Sequence, residues 1–184
     1  LKEYHEVFSG NVIAQNRLKG VGFLSREDAI NYGVTGPSGR GSGWACDVRK
    51  RSPYAAYDKV QFDEVLYNEG DSYARYMVRM KEIEQSLHIL EQLVDNIPEG
   101  DYLAKTKPII KVPEGRYFKE VEAARGAFGI YLESRGDKFP YRLKVNSPGF
   151  NLVGAVDHMT RGSKIADLIA IGGSLDYVVP DIDR

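Results

Sequence analysis

The sequence predicts a mainly α chain with one small antiparallel β-sheet, an α+β fold, and three observations point there. Residues 71–97 repeat apolar side chains at steps of four and three. Beyond residue 115 the apolar period falls to two. After residue 147 helical spacing returns over two short stretches.

The long helix comes first because most of the chain must pack on it. Tyr76, Met80, Ile83, Leu87, Leu90, Val94 and Ile97 form one seam, with Arg75, Arg79, Glu82, Gln85 and His88 mostly off it. Asp71 or Ser72 can cap the start, since a short oxygen-bearing side chain satisfies a free backbone N–H there. Gly70 breaks the chain before it, and Pro98 cannot continue it. A seam of that length needs a cover, so the expectation is a helix bundle.

Ahead of it, Leu1, Tyr4, Val7 and Phe8 give a helix interrupted at Gly10. Ser25 caps a short helix that stops at Gly33. The run Gly33 to Gly43 is too rich in glycine for regular structure and reads as a long surface loop. It approaches a phosphate-binding pattern, with Gly36, Gly41 and Ser42 correctly spaced, but has no lysine. Asp47, Arg49, Lys50 and Arg51 beside Tyr54 and Tyr57 read as a solvated or ion-paired loop rather than a single-strand nucleic-acid surface.

Behind the long helix, residues 99–115 form an irregular link. Tyr117 to Glu122, then Phe128, Ile130 and Leu132, then Phe139, Tyr141, Leu143 and Val145, make a three-stranded meander turning at Ser134 to Asp137. Its apolar face calls for a helix of the bundle. Phe150 to Met159 and Ser163 to Ile171 are two short helices, the second stopped by Gly172 and Gly173. The chain thus reads as a single domain over 1–184. It divides into a helical region over 1–115 with the glycine-rich loop 33–57, a meander over 116–147, and C-terminal helices and tail over 148–184. It lacks an initiator Met and opens inside a helical pattern, so it reads as a piece of a longer protein.

Composition narrows the function. Lys and Arg total 25 against 26 Asp and Glu, which leaves no global basic field for nucleic acid. The lone cysteine, Cys46, makes no internal disulfide, holds no iron–sulfur cluster and favours a reducing compartment. The longest apolar run, Ile165 to Ile171, is far short of a membrane span. His5, His88 and His158 stand apart, so no metal site is written locally. Asp176, Asp181, Asp183 and Arg184 read either as an exposed, charge-compensated tail or as polar groups pinned in a pocket fit for proton-coupled chemistry.

Several pieces, in order, resemble one family. Gly36-Pro37, Arg40-Gly41-Ser42-Gly43, Asp47-Val48-Arg49-Lys50, Pro53-Tyr54 and Tyr57-Asp58 resemble the glycine-rich loop of the hydrogenase-like subunit of NADH-quinone oxidoreductase (respiratory complex I, the D or 49-kilodalton type). Gly70-Asp71, Tyr73, Arg75-Tyr76, Val78-Arg79 and Gln85-Ser86-Leu87 resemble its long helix. Gly126, Phe128-Gly129, Tyr131-Leu132, Tyr141-Arg142 and Pro148-Gly149-Phe150 resemble its sheet and the turn after it. Arg161-Gly162, Ala166-Asp167, Gly173, Asp176 and Asp183-Arg184 resemble its C-terminus. Locally, Trp44 and Cys46 depart from that family's order, and the link 101–115 is shorter than the family's.

The resemblance implies the C-terminal portion of that protein, a fragment of the NiFe-hydrogenase large-subunit-like fold. Hydrogenases hold their metal with two CxxC-type motifs. None stands near residues 176–184, so the resemblance is to the quinone-reducing branch, and no metal is expected. It implies a quinone-headgroup cavity lined by Asp176, Val178 and Arg184. Asp176 would orient a proton donor, Val178 would offer an apolar wall, and Arg184 would hold a carboxylate. Arg40, Asp47 and Arg49 would belong to a subunit-interface loop. Quinone is the implied substrate, with no cofactor bound by this piece; FMN and iron–sulfur clusters would sit on partner subunits. Implied partners are the iron–sulfur small subunit, the rest of the peripheral arm and the membrane arm. The complex would couple NADH oxidation to quinone reduction and ion translocation on the cytoplasmic side of a bacterial inner membrane, the isolated piece being inactive. The rival readings are a membrane-bound hydrogenase-type protein, which the missing CxxC opposes, and a non-catalytic helical assembly module.

Overall fold

The computed structural model describes residues 1–183. Helix α1 (Lys2–Tyr4) runs into one wider turn (His5–Ser9) and breaks at Gly10 before α2 (Val12–Leu18), as the interrupted pattern predicts. Helix α3 (Arg26–Tyr32) starts where Ser25 Oγ accepts the Asp28 N–H and stops at left-handed Gly33. Then follow α4 (Gly36–Arg40), α5 (Val48–Arg51) and the long α6 (Ser72–Val94). Strands β1 (Gly115–Ala123), β2 (Gly126–Ser134) and β3 (Arg142–Asn146) form an antiparallel meander in that order. Helices α7 (Pro148–Gly154), α8 (Val156–Thr160), α9 (Ile165–Leu175) and α10 (Val179–Ile182) complete the described chain.

Asp71 is the cap of α6. Its Oδ1 accepts the Ala74 N–H at 2.8 Å, and its Oδ2 accepts the Gly20 N–H at 2.7 Å. One carboxylate thus both starts the helix and ties it to the turn before α3. The helix ends at Val94, short of the predicted Ile97, and its inward face is not the predicted one. Tyr76 packs on Phe8 and Met80 is buried, but Ile83, Leu87, Leu90 and Val94 are 44, 49, 60 and 62% exposed. The inward seam is Arg75, Val78, Glu82, Gln85, Ile89 and Gln92, turned by about 100°, one residue step, from the apolar one. Gln85 and Gln92 accept the N–H groups of Asp63 and Gln61, both at 2.8 Å, and so lay an extended segment along the helix.

Helices α2, α4 and α9 gather around α6. The apolar core lies beside it, where Leu24, Ala29, Val34, Leu152, Ala155, Met159, Ile171 and Leu175 meet from α3, α7, α8, α9 and their flanks. Each of its fully buried leucines contributes about 1.5–3 kcal/mol.

Three further expectations are corrected. The glycine-rich run is not a surface loop: residues 36–42 are buried, and Gly36 to Arg40 is helical, with Pro37 in the first turn, where its missing N–H costs nothing. The sheet meets the short helices α4, α5 and α7, but the expected helix cover of its apolar face is incomplete: Tyr117, Ile130 and Leu143 there stay exposed. Its third strand starts at Arg142, not Phe139, because Pro140 cannot donate to the ladder. The C-terminal region makes three helices and a short fourth. α9 runs through Gly172 and Gly173, since burying Ile171 and Leu175 outweighs about 1 kcal/mol of glycine cost per residue.

Candidate functional site

The inward face of α6 carries charge, and each charge has at least one partner far along the chain. Arg75 is fully buried without a carboxylate on it. Its Nη1 donates to Gly70 O at 3.0 Å, its Nη2 to Gly22 O at 2.8 Å and Ser72 Oγ at 3.0 Å, and its Nε to Ser174 Oγ at 3.0 Å. Burial, and then the charge of Arg79, pull its pKa down to about 9. The neutral acceptors spread its charge and join α6, the turn before α3 and α9 at one point.

Two turns on, Glu82 meets Arg40. Arg40 Nε donates to Glu82 Oε1 at 2.6 Å and Nη1 to Glu122 Oε1 at 2.7 Å, so one guanidinium joins α6, α4 and β1. Burial opposes the Arg40 charge, but the two carboxylates outweigh it and lift its pKa above the ordinary value. Burial pushes the Glu122 carboxyl above its ordinary 4.5, offset only in part by Arg40 and by the Val48 N–H, which donates to Oε2 at 3.0 Å. Glu122 is the more buried of the two acids, with 5% of its side chain exposed against 16% for Glu82.

The segment after α4 is held the same way. Glu64 Oε1 accepts the N–H groups of Cys46 and Asp47 at 2.8 and 2.9 Å. Arg49 grips Asp47 with Nε on Oδ1 at 2.9 Å and Nη2 on Oδ2 at 2.6 Å. Burial pushes the Cys46 thiol up to about 12, so it is no nucleophile at neutral pH. Arg40 and Asp47 lie inside the chain, at 1 and 2% exposure: what they do for this segment they do from within.

The second cluster stands at the C-terminus of α9. Asp176 adopts φ 56, a left-handed conformation that ends the helix. Arg125, in the two-residue turn between β1 and β2, donates from Nε to Asp176 O at 2.7 Å and sets Nη2 3.5 Å from Asp176 Oδ1. Arg79 donates from Nη1 to Arg75 O at 2.9 Å and from Nη2 to Leu175 O at 3.4 Å, while its buried Nε–H has no partner. Burial lowers the Arg79 pKa first; Asp176 and Glu82 then act against that, and Arg40 and Arg125 with it. Arg79 is therefore electrically in touch with both clusters. Asp176 and Val178 are half-buried, and Arg184 lies outside the described residues.

Of the residues the sequence singles out, the structure groups Arg40, Asp47 and Arg49 in one network and Asp176 and Val178 at another point, with Arg79 between. The sequence pattern puts Arg79 on the outer face of a helix and does not single out Arg125. The one local signal for Arg125 is an arginine directly before the glycine that opens a strand. An apolar groove against α6 is lined by Ala55, Tyr57, Val60, Ile89 and Leu90, and neither Asp176 nor Val178 lines it. Among the described residues no three His, Cys, Asp or Glu side chains are grouped to hold a metal ion. No described helix is long and apolar enough to cross a membrane.

The family model of the respiratory-chain NADH dehydrogenase, 49 Kd subunit, matches residues 1–110 and 104–184. The C/D subunit of NADH-quinone oxidoreductase from Phocaeicola vulgatus is 70% identical over 184 residues, 100% of this chain and 36% of that protein. The D subunit of NADH-quinone oxidoreductase from Desulfotalea psychrophila is 52% identical over 185 residues, 100% of this chain and 50% of that protein. Its counterpart from Bacillus cereus is 46% identical over 184 residues, again 100% and 50%. The chain spans about a third to a half of the length of these relatives.

Proposed function

The chain belongs to the respiratory-chain NADH dehydrogenase 49 Kd subunit family, and from that premise we propose that it forms one wall of a quinone-headgroup site in an NADH-quinone oxidoreductase complex. The observation that carries this reading is the end of α9. There Asp176 stands half-exposed in a left-handed turn beside Arg79 and Arg125, and the apolar Val178 follows two residues on. A quinone ring takes an apolar wall for its flat face and a polar group to orient its carbonyls.

Reducing a quinone to the quinol takes two electrons and two protons. The electrons would come from an iron–sulfur small subunit, itself fed by FMN and further clusters on other partners. This chain has one cysteine, buried and held as the thiol, and no set of soft ligands that fits a cluster. Its own role is with the protons: Asp176 orients a donor and takes part in proton supply, Val178 walls the ring, and Arg184 holds a carboxylate in place. The segment with Arg40, Asp47 and Arg49 is the proposed interface loop, its shape fixed from inside by the ion pairs.

On this reading the chain is a fragment of the NiFe-hydrogenase large-subunit-like fold without the metal. Nickel and iron of that kind need thiolates, and residues 176–184 hold none. It works in a peripheral arm, against a membrane arm that moves ions, on the cytoplasmic side of a bacterial inner membrane. By itself it turns nothing over.

The test is Asp176→Asn in the full complex, with NADH-driven quinone reduction as the readout. A loss of about tenfold or more, with the complex assembled, is expected; wild-type rates would remove Asp176 from the site. Loss of assembly would favour the second reading, a non-catalytic assembly module, which the exposed seam Ile83, Leu87, Leu90 and Val94 supports.

A further inference from the structure

Asp176 is the only described non-glycine residue besides Ala55 with positive φ, and it is the residue on which the proposed quinone site turns. Its backbone and its carboxylate are both approached by one guanidinium. Arg125 Nε donates to Asp176 O at 2.7 Å, a strong charge-assisted bond to a carbonyl that the end of α9 leaves without a helical donor. Arg125 Nη2 stands 3.5 Å from Asp176 Oδ1, at ion-pair distance. The fork of a guanidinium can serve both at once; a lysine ammonium, a single point of charge, cannot match the two directions.

Arg125 itself has little freedom. It sits in a two-residue turn whose next residue, Gly126, is pressed against Thr35 and Gly36, and the Ala127 N–H donates to Thr35 Oγ1 at 2.9 Å. The tip of the hairpin is thereby fixed on α4, and the guanidinium is delivered to α9 from a rigid mount. The left-handed turn is strained for an aspartate, and the Arg125 bond to its carbonyl is one contact that offsets the strain.

We propose that Arg125 is a positioning residue for the quinone-site reaction, acting through Asp176: it holds the end of α9 in the left-handed turn and aims the carboxylate at the ring. This rests on the proposed role of Asp176. Arg125 itself touches no substrate on this account. Losing it leaves the carboxylate in place in the sequence but misaimed in space, and misplacement of a reacting group by about 1 Å costs up to about a hundredfold.

The experiment uses the assembled complex with Arg125→Met, Arg125→Lys, Asp176→Asn and the double variant Arg125→Met with Asp176→Asn. Reduction of a short-chain benzoquinone by NADH is measured as kcat and KM. Reduction of ferricyanide by NADH serves as a control that needs no quinone site. Arg125→Met is expected to slow quinone reduction by roughly tenfold, with the same division between kcat and KM as Asp176→Asn and with ferricyanide reduction unchanged. Arg125→Lys is expected to recover some of the rate. The double variant is expected to be no slower than the slower single one, because both act on one carboxylate.

A wild-type rate in Arg125→Met while Asp176→Asn is slow would overturn this proposal alone. So would a double variant slowed by the product of the two effects. A wild-type rate in Asp176→Asn would overturn the quinone-site reading and this proposal with it. Should Arg125→Met fail to assemble, Arg125→Lys decides: an intermediate rate with the Asp176→Asn division of kcat and KM supports the proposal, and a wild-type rate overturns it.

Discussion

Gly36 and Gly126 meet backbone to backbone: a methyl group on Gly36 would come within 2.5 Å of Gly126 Cα, and one on Gly126 within 2.5 Å of Thr35 Oγ1. Both have positive φ, 68 and 139. The start of α4 and the tip of the β1–β2 hairpin can approach this closely only because neither residue carries a side chain. Gly36→Ala and Gly126→Ala are each expected to cost about 2–4 kcal/mol, from strain and overpacking together. Lower thermal unfolding temperatures of the complex, or less of this chain in it, would show this. Full stability in both would mean that the two segments separate at no cost.

The Arg40 triad makes a second test. Glu122→Gln removes one carboxylate from a buried guanidinium and is expected to cost about 3–5 kcal/mol. Replacing all three members together, Arg40→Met with Glu82→Leu and Glu122→Leu, leaves no stranded charge and is expected to recover much of that loss. Urea unfolding midpoints compare the two. A triple variant weaker than Glu122→Gln would mean that the ion pairs contribute more than their desolvation costs.

Asp47 sets a pH dependence. Burial opposes its ionisation, but the Arg49 hydrogen bonds and the charges of Arg49 and Arg40 outweigh it, so its carboxyl lies below the ordinary 3.8. The folded state therefore holds this proton less tightly than the unfolded chain. Its contribution to stability is full above about pH 4 and is lost as the pH falls through the ordinary carboxylate range and below. Asp47→Asn is expected to lower stability at pH 7 and to flatten the acid limb of a stability-against-pH curve. An unchanged acid limb would count against the Asp47–Arg49 pair.

Neighbouring positions on α6 separate burial from hydropathy. Ile89 is 8% exposed and Leu90 is 60% exposed. In this chain Ile89→Ala is expected to cost about 2–4 kcal/mol, and Leu90→Ala less than about 0.5 kcal/mol. Equal costs in denaturant unfolding would mean that the helix is turned the other way.

Cys46 reports on opening. Its thiol is buried and pushed up to about 12, so iodoacetamide at pH 8 is expected to leave it unmodified in the folded chain and to alkylate it readily in urea. Mass spectrometry reads the difference. Rapid modification without denaturant would mean that the α4–α5 segment opens freely.

The sequence by itself determined what neighbours in the chain can settle. Ser25 and Asp71 cap α3 and α6 because each needs only an N–H three residues on, Gly33 ends α3 because the left-handed turn there is local, and the change of period to two marks the meander. The same is true of the family, carried by many short matches in one order. The tertiary structure decided the rest. Which face of α6 turns inward could not be read from hydropathy, because Arg75, Arg79 and Glu82 become inward residues only when Gly22 O, Leu175 O and Arg40 are brought to them from 42 to 96 positions away. The burial of the glycine-rich segment was equally hidden, since it depends on a hairpin 92 residues later. Arg125 became visible only beside Asp176. A buried charge is tolerated where its partners are, and partners that distant are assembled by the fold.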